Sequence, residues 1–160
     1  MDPNANPFNP GAGSPPRITR GRSERSLLLV GLRGVGKTVL LREMRRHALE
    51  RRCAVEMIEA QEDQALVQIL VPALRRLLVE LDSTKRTIAA VKRGLRVLRS
   101  FLGTIKFKAS EIELTLGVDP EQGRADSGEL ESDLKDLLLA LGEASKEAGR
   151  PIALLIDELQ

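Results

Sequence analysis

An α/β fold built on a mostly parallel sheet is the fold class that this sequence predicts. Three short apolar runs, at residues 26–30, 53–58 and 152–156, are separated by longer segments in which apolar residues recur with helical periodicity. Continuous apolar runs of this length are typical of strands that are buried on both faces, as in a parallel sheet. Strands that alternate with helices in this way indicate helices on both faces of the sheet, which is a three-layer sandwich.

Composition excludes several classes of protein. The chain has 160 residues, enough for one domain with a hydrophobic core. Aromatic residues make up only 2%, so the core is aliphatic and stacking platforms for single-stranded nucleic acid are not expected. A net charge of +2 favours neither a nucleic-acid binder nor an acidic protein. No apolar run reaches the roughly 18 residues that span a bilayer, and no signal peptide is evident, so we predict a cytoplasmic protein without membrane contact.

A domain boundary is predicted near residue 25. Residues 1–25 are an irregular arm and linker, because the first part is rich in Pro, Asn and Gly and the rest is a short basic stretch. Residues 26–160 form one α/β domain. Within it, residues 84–117 form an insertion that we describe below.

The first half of this domain alternates strictly between strand and helix signals. Ser26–Val30 is predicted to be a buried strand that ends at a glycine-rich turn, and a helix follows from Lys37. Residues 53–58 form the next predicted strand. Residues 61–81 carry a helical pattern that Pro72 should kink or interrupt.

The second half contains the predicted insertion and the last strand. Residues 84–102 form an amphipathic helix, and residues 105–116 alternate with period two, which predicts a β-hairpin. After a polar loop, Asp126 and Glu129 have the spacing of a capping box that opens a helix ending at Gly149. The strand at residues 152–156 follows.

A glycine-rich motif joins the first predicted strand to its helix. Its sequence, G-L-R-G-V-G-K-T, matches G-x-x-x-x-G-K-[ST] in full. Glycines let successive backbone N–H groups point at a β-phosphate, and the helix adds its positive end. A chance match is the alternative, but the strand before the motif and the helix after it argue against one. The predicted nucleotide-binding residues are Gly31, Leu32, Arg33, Gly34, Val35, Gly36, Lys37 and Thr38.

An acidic pair, Asp157 and Glu158, ends the last apolar run. Such a pair after a strand is by itself an ordinary solvated strand end. With a phosphate loop upstream, it predicts that Asp157 holds the water shell of a Mg²⁺ ion and that Glu158 polarises an attacking water. Thr38 and Asp157 are therefore the predicted metal-binding residues, and Lys37 and Glu158 the predicted catalytic ones.

Together, the two motifs resemble those of the AAA+ class of P-loop ATPases. The stretches LLLVGLRGVGKTVLL and LLIDELQ are similar to bacterial and archaeal members related to origin-recognition and signalling ATPases, and so are Asn6–Gly11 and Ala125–Gly128. The resemblance implies a P-loop NTPase sandwich, ATP and Mg²⁺ as cofactors, ATP hydrolysis and assembly into homo-oligomers.

The resemblance also implies elements that this sequence lacks. Members of the class carry a Gly-Arg-x-x-Glu element and a helix before the first strand, whereas Gly21–Glu24 lies only two residues from Leu27. The C-terminal strands with their polar sensor, the arginine finger and the helical lid are expected beyond Gln160. One of those strands would lie between the strands at residues 26–30 and 152–156. A gap in the sheet is therefore expected unless these two strands pair directly. We therefore expect a truncated domain with little ATPase activity and a tendency to aggregate.

Three functional hypotheses remain at this point. The first is an ATP hydrolase that moves a partner, the second is an ATP-dependent switch or binding module with slow turnover, and the third is an inert fragment. A GTPase is disfavoured because no N-K-x-D motif is present, and a transporter ATPase because no L-S-G-G-Q motif is present.

The basic segment 85–108 is either a solvated face balanced by the acidic segment that follows, or a surface for DNA or an acidic protein. His47 is expected at the surface, and Cys53, the only cysteine, in the core.

Overall fold

The computed structural model describes residues 26–32, 34–60, 65–82, 89–104 and 117–158. The chain divides into two units, Met1–Val30 and Gly31–Gln160. The second unit contains, in chain order, α1 (Lys37–Glu50), β1 (Ala54–Glu59), α2 (Leu66–Asp82), α3 (Ala89–Thr104), α4 (Leu130–Ala148) and β2 (Ile152–Asp157).

The described part of the first unit, Ser26–Val30, forms no strand. Leu27, Leu28 and Val30 are 60%, 73% and 87% exposed. The prediction of a buried strand here is therefore wrong. An apolar run becomes a strand only where a neighbouring strand supplies partners for its backbone N–H and C=O groups, and local sequence does not reveal that neighbour.

The sheet consists of β1 and β2, which run parallel in the register Ala54↔Ile152 to Glu59↔Asp157. Both predicted strands are confirmed, with ends that differ by one residue. Over the described ranges the sheet has these two strands, so the α/β class is confirmed while the wider sheet of a three-layer sandwich is not seen there. Parallel strands need a long crossover connection, and α2, α3 and α4 provide it.

Helices cover both faces of this sheet. α1 packs on one face, where its apolar side chains contact a small buried cluster from the two strands. α2 and α4 contact one another on the other face, and α3 packs against both of them around the main core. The residues of the α1 face are Leu41, Met44 and Ala48 from the helix, Cys53 from the turn before β1, and Val55, Met57, Ala153 and Leu155 from the two strands.

α2 continues through Pro72 as one helix, so of the two predicted effects the interruption is wrong and the kink stays a prediction. Proline removes one backbone hydrogen bond and usually ends or kinks a helix. Here Leu70, Val71, Ala73 and Leu74 on either side are buried, and their packing holds the helix together across that turn. The predicted start of the helix, at Gln61, lies outside the described residues.

α3 confirms the helix predicted within the insertion. Glu147 of α4 holds its first turn, since Oε1 accepts a hydrogen bond from the N–H of Ala89 (3.1 Å) and Oε2 one from Ala90 (3.2 Å). These contacts satisfy two N–H groups that a helix start leaves without partners. The hairpin predicted for residues 105–116 lies outside the described residues.

The start of α4 differs from the predicted capping box. The N-cap is Glu129, and no side chain caps it. The Asp126 carboxylate instead accepts a hydrogen bond from Gly123 N–H at 2.8 Å, within the preceding loop. The spacing of the pair is right for a capping box, but Asp126 lies three residues before the N-cap position and serves a turn. The predicted stop at Gly149 is confirmed, with a φ of 63°.

We predict that Gly94→Ala destabilises the domain, because α3 crosses α2 closely at this glycine. A Cβ at Gly94 would lie 2.6 Å from Cδ2 of the fully buried Leu78. The expected cost is about 1–3 kcal/mol of unfolding free energy. The control is Gly103→Ala in the same helix, where a Cβ meets nothing within 4 Å. That change should stabilise by roughly 0.5–1 kcal/mol. Urea unfolding checks both, and equal effects would contradict the crossing.

Candidate functional site

The predicted phosphate loop has the backbone conformation that its glycines permit. Gly34 and Gly36 have φ values of 84° and 89°, in the left-handed region that other L-residues rarely adopt. A Cβ at either position would meet nothing within 4 Å, so the backbone angle rather than crowding requires glycine there. Arg33, between the first two glycines of the motif, lies outside the described residues.

The loop ends at the positive end of α1. Gly36 is the N-cap, no side chain caps the helix, and its first turn has no acidic residue. The N–H groups of a helix start carry a partial positive charge that favours an anion. Lys37 adds a full charge at the same place, because its Nζ donates hydrogen bonds to the carbonyl oxygens of Gly31 (2.8 Å) and Leu32 (2.9 Å). The loop is therefore a concentrated positive site built from main chain and one side chain.

The acidic pair lies where β2 ends. Asp157 is the last strand residue and is only 7% exposed. Its backbone oxygen accepts a hydrogen bond from the N–H of Ala60 (2.9 Å), and its Oδ1 accepts one from the N–H of Glu158 (3.1 Å). Glu158 is exposed and has a φ of 54°. The pair thus consists of a buried residue at the end of the strand and an exposed residue at the bend that follows it.

Chain direction brings the two motifs to the same edge of the sheet. α1 has 14 residues and β1 has 6, so both are about 20 Å long. A short turn joins them, in which the N–H of Cys53 bonds to the oxygen of Ala48 at 3.0 Å. Because α1 packs against the strands that follow it, its first residues, Lys37 and Thr38, lie at the carboxyl edge where Asp157 ends β2. Ligands of open α/β sheets bind outside this edge.

On the opposite face of the sheet, a buried carboxylate holds the loop that precedes α4. Asp133, in the first turn of α4, is 2% exposed. Its Oδ1 accepts hydrogen bonds from the N–H (3.0 Å) and hydroxyl (2.6 Å) of Ser127, and its Oδ2 accepts one from the N–H of Gly128 (3.0 Å). Burial by itself raises the pKa of Asp133, but these bonds and one from Thr104 outweigh burial and hold that pKa below its usual value.

Sequence reasoning assigned no role to Asp133. The available signal was weak: an acidic residue in the first turn of a helix, just after a Ser-Gly turn. The sequence pattern instead pairs Asp126 with Glu129 as a capping box at this helix start. Which of several nearby carboxylates folds back onto the loop depends on the turns at Ala125 and Gly128, whose φ values are 53° and 82°.

The other residues that the sequence singled out have ordinary environments. His47 is exposed, and its Nδ1 lies 3.3 Å from the carboxylate of Glu50. Cys53 is buried, and burial raises the pKa of its thiol. Both placements confirm the predicted surface and core roles.

The basic segment is described over α3. Arg96 forms an ion pair with Glu121, and Arg93 lies 3.9 Å from Glu143. Glu121 belongs to the acidic segment that follows, as the balanced-face interpretation predicts, whereas Glu143 lies further along the chain in α4. Binding of DNA or an acidic protein to this face stays a prediction. The two contacts make such binding less favourable.

Comparison with known families decides the class of the protein. A model of the AAA ATPase domain matches residues 16–160, a range that includes both motifs. The chain belongs to this family. No curated protein and no solved structure matches it. Membership confirms the resemblance to the AAA+ class of P-loop ATPases and indicates nucleotide binding by this AAA ATPase domain. Its helices, over the described ranges, include none that is long and apolar enough to cross a membrane.

In this AAA ATPase domain, Asp133→Asn should lower the free energy of unfolding at neutral pH by about 1–3 kcal/mol, because an amide cannot accept all the hydrogen bonds that the carboxylate accepts. The folded-state pKa is depressed, so the contribution of Asp133 is complete above the unfolded pKa of about 3.9. It is lost as the pH falls through the lower folded pKa. The difference between wild type and variant should therefore shrink below about pH 4.

Chemical unfolding at several pH values measures this difference. Asp126→Asn is the control, because Asp126 is exposed and accepts a single backbone bond, from Gly123 at 2.8 Å. A difference for Asp133→Asn that did not change between pH 7 and pH 3 would contradict an ionised, hydrogen-bonded carboxylate.

Proposed function

We propose that this AAA ATPase domain binds Mg·ATP at residues 31–38 and hydrolyses it, and that the nucleotide cycle acts on a partner. The observation that carries the proposal is the phosphate loop itself. Left-handed glycines, an uncapped helix start and the Lys37 ammonium form one positive site, at the sheet edge where β2 ends at Asp157 and Glu158 follows. Family membership supports nucleotide binding.

The phosphate groups of ATP are the chemical fit for this loop. Backbone N–H groups at the start of α1 would donate to the β-phosphate, and Lys37 would exchange its two carbonyl partners for β- and γ-phosphate oxygens. The proposed ATP-binding residues are Gly31, Leu32, Arg33, Gly34, Val35, Gly36, Lys37 and Thr38.

The Thr38 hydroxyl and the Asp157 carboxylate fit a magnesium ion. Both are oxygen donors, the kind that Mg²⁺ prefers, and Mg²⁺ usually retains several waters beside one or two protein ligands. Thr38 would bind the ion directly and Asp157 would hold its waters. When bound, Mg²⁺ would neutralise charge on the β- and γ-phosphate oxygens.

Glu158 is the proposed catalytic base. It would orient a water, whose oxygen attacks the γ-phosphorus while the bond to the bridging oxygen of ADP breaks and ADP leaves with that electron pair. The proton of the attacking water passes to the Glu158 carboxylate. A glutamate at this place favours water over a second substrate as the acceptor of the phosphoryl group.

We further propose that the protein works in a reducing compartment. The single cysteine, Cys53, is buried and free, which suits a reducing compartment such as the cytoplasm. We also propose that the protein acts as a homo-oligomer, as AAA domains often do.

Lys37→Ala should weaken ATP binding by about one to two decades, since each charge-assisted contact of the ammonium is worth roughly 1.5–3 kcal/mol. Titration of the intact protein with a fluorescent ATP analogue measures the change. Arg45→Ala, which removes an exposed positive charge two turns further along α1, is the control and should change affinity less than about twofold. Equal affinities for the Lys37 variant and wild type would remove this residue from the site.

Glu158→Gln should bind ATP with nearly unchanged affinity but retain it unhydrolysed, because the amide keeps the size of the side chain and cannot take the proton. Phosphate release and the ATP/ADP ratio of the bound nucleotide measure this. Glu59→Gln is the control, because Glu59 is exposed and lies opposite Asp157 in the sheet register. Turnover by Glu158→Gln at the wild-type rate would refute the catalytic assignment and favour an ATP-dependent switch.

A further inference from the structure

One side of α1 carries positive charge that the described residues do not balance. Arg42, Arg45 and Leu49 are all exposed, and their spacing of three and four residues places them along one side of the helix. Leu49, which is 46% exposed, adds an apolar side chain to the two guanidinium groups. We call these three residues the basic stripe.

Nearby acids do not neutralise the basic stripe. The two acidic residues of α1, Glu43 and Glu50, both contact Arg46, at 2.9 and 2.6 Å. Over the described ranges, Arg42 and Arg45 have no carboxylate partner. The arginines of α3, by contrast, reach carboxylates of the same chain. Of the two basic helices, α1 is therefore the one with charge left for another molecule.

The start of α4 carries the opposite charge. Glu129, Leu130 and Glu131 are exposed, Leu130 by 51%. Acidic residues at a helix start ordinarily compensate its positive end, but the buried Asp133 already contributes a carboxylate there. Over the part of the chain that the structure describes, the carboxylates of Glu129 and Glu131 have no cationic partner, so they add surplus negative charge. We call Glu129, Leu130 and Glu131 the acidic patch.

The two surfaces match one another but lie far apart in one molecule. Each combines two like charges with one half-exposed leucine. α1 and α4 cover opposite faces of the sheet. The basic stripe runs toward the end of α1, at the amino edge, whereas the acidic patch lies at the carboxyl edge, where α4 begins. The two surfaces can therefore meet only between two copies of the chain.

We propose that the basic stripe binds the acidic patch of a second copy of this chain, head to tail. The leucines favour a protein partner, because phosphate contacts leave an apolar side chain in water whereas protein interfaces combine arginine with buried apolar groups. A contact between two different surfaces leaves one of each free at the ends, so it continues into a ring or a filament.

This inference rests on the homo-oligomer of the proposed function and names the surfaces that would form it. It does not involve the phosphate loop. Arg45 lies two turns beyond Lys37 and contributes to the association, not to the ATP affinity of a single copy.

Reversal of charge on each surface tests the contact. Arg42→Glu/Arg45→Glu and Glu129→Lys/Glu131→Lys should each weaken self-association by more than about tenfold, since like charges then face one another. Sedimentation velocity of the intact protein without nucleotide measures this. The control is Lys92→Glu/Lys146→Glu, which makes the same change of charge at exposed positions on α3 and α4 and should associate as wild type does.

A mixture of the two reversed variants is the sharper test. One variant retains the acidic patch and the other the basic stripe, so these two native surfaces can pair, and the two reversed surfaces can pair as well. The mixture should therefore associate within about threefold of the wild-type affinity, although each variant alone does not. Recovery in the mixture also shows that both variants are folded. If either reversal prevents folding, Arg42→Gln/Arg45→Gln and Glu129→Gln/Glu131→Gln should still weaken association.

Each outcome decides something specific. A wild-type protein that stays monomeric would overturn the inference and the proposed homo-oligomer together. An oligomer that neither reversal weakens, or a mixture that does not associate, would overturn the inference and leave the homo-oligomer. Loss of binding to a double-stranded DNA oligonucleotide by the Arg42→Glu/Arg45→Glu variant, with self-association unchanged, would overturn it in favour of nucleic acid. Failure of ATP binding with the association intact would refute the proposed ATP site and leave the contact.

Discussion

Parallel pairing of β1 with β2 is the constraint on which the rest of this domain depends. Parallel strands cannot be joined by a tight turn, so the chain must leave the carboxyl end of β1 and return to the amino end of β2. The return path comprises α2, α3 and α4, and these helices supply most of the core. At the amino edge, Arg150 secures the start of both strands. Its Nε donates to the oxygen of Arg52 (3.0 Å), and its guanidinium pairs with Glu80 of α2.

The same pairing creates two edges with different properties. The amino edge is a structural junction, where the Arg150 guanidinium also reaches the oxygen of Cys53 at 3.4 Å. The carboxyl edge receives the start of α1 on one face and the start of α4 on the other, because both helices run against the strands. Two helix starts and the positive ends of their dipoles therefore flank Asp157. Asp133 neutralises the start of α4, whereas the start of α1 carries no acidic residue in its first turn. That difference leaves the start of α1 as the more positive of the two.

The end of β2 also combines a buried charge with a disfavoured backbone conformation. Asp157 is almost fully buried beside Glu158, whose φ of 54° is one that an L-residue disfavours. Neither feature stabilises the fold by itself, since burial of a carboxylate and a left-handed backbone both carry a cost. Both features lie at the two residues for which a metal role and a catalytic role are proposed above. Asp133 is the contrasting case, because its burial is compensated by hydrogen bonds from Ser127 and Gly128.

The sequence by itself determined the features that depend on local chemistry: the α/β class, the helix after Gly36, the strands at β1 and β2, the stop at Gly149 and the two nucleotide motifs. These follow from residue spacing and from glycines that local backbone angles require. Tertiary structure decided the rest, because it depends on partners distant in sequence. Ser26–Val30 is apolar enough for a strand yet forms none, and α2 continues through Pro72 because its neighbours are buried. Asp133 rather than Asp126 holds the loop before α4, since a carboxylate's partners are set by how the turns fold and not by spacing alone.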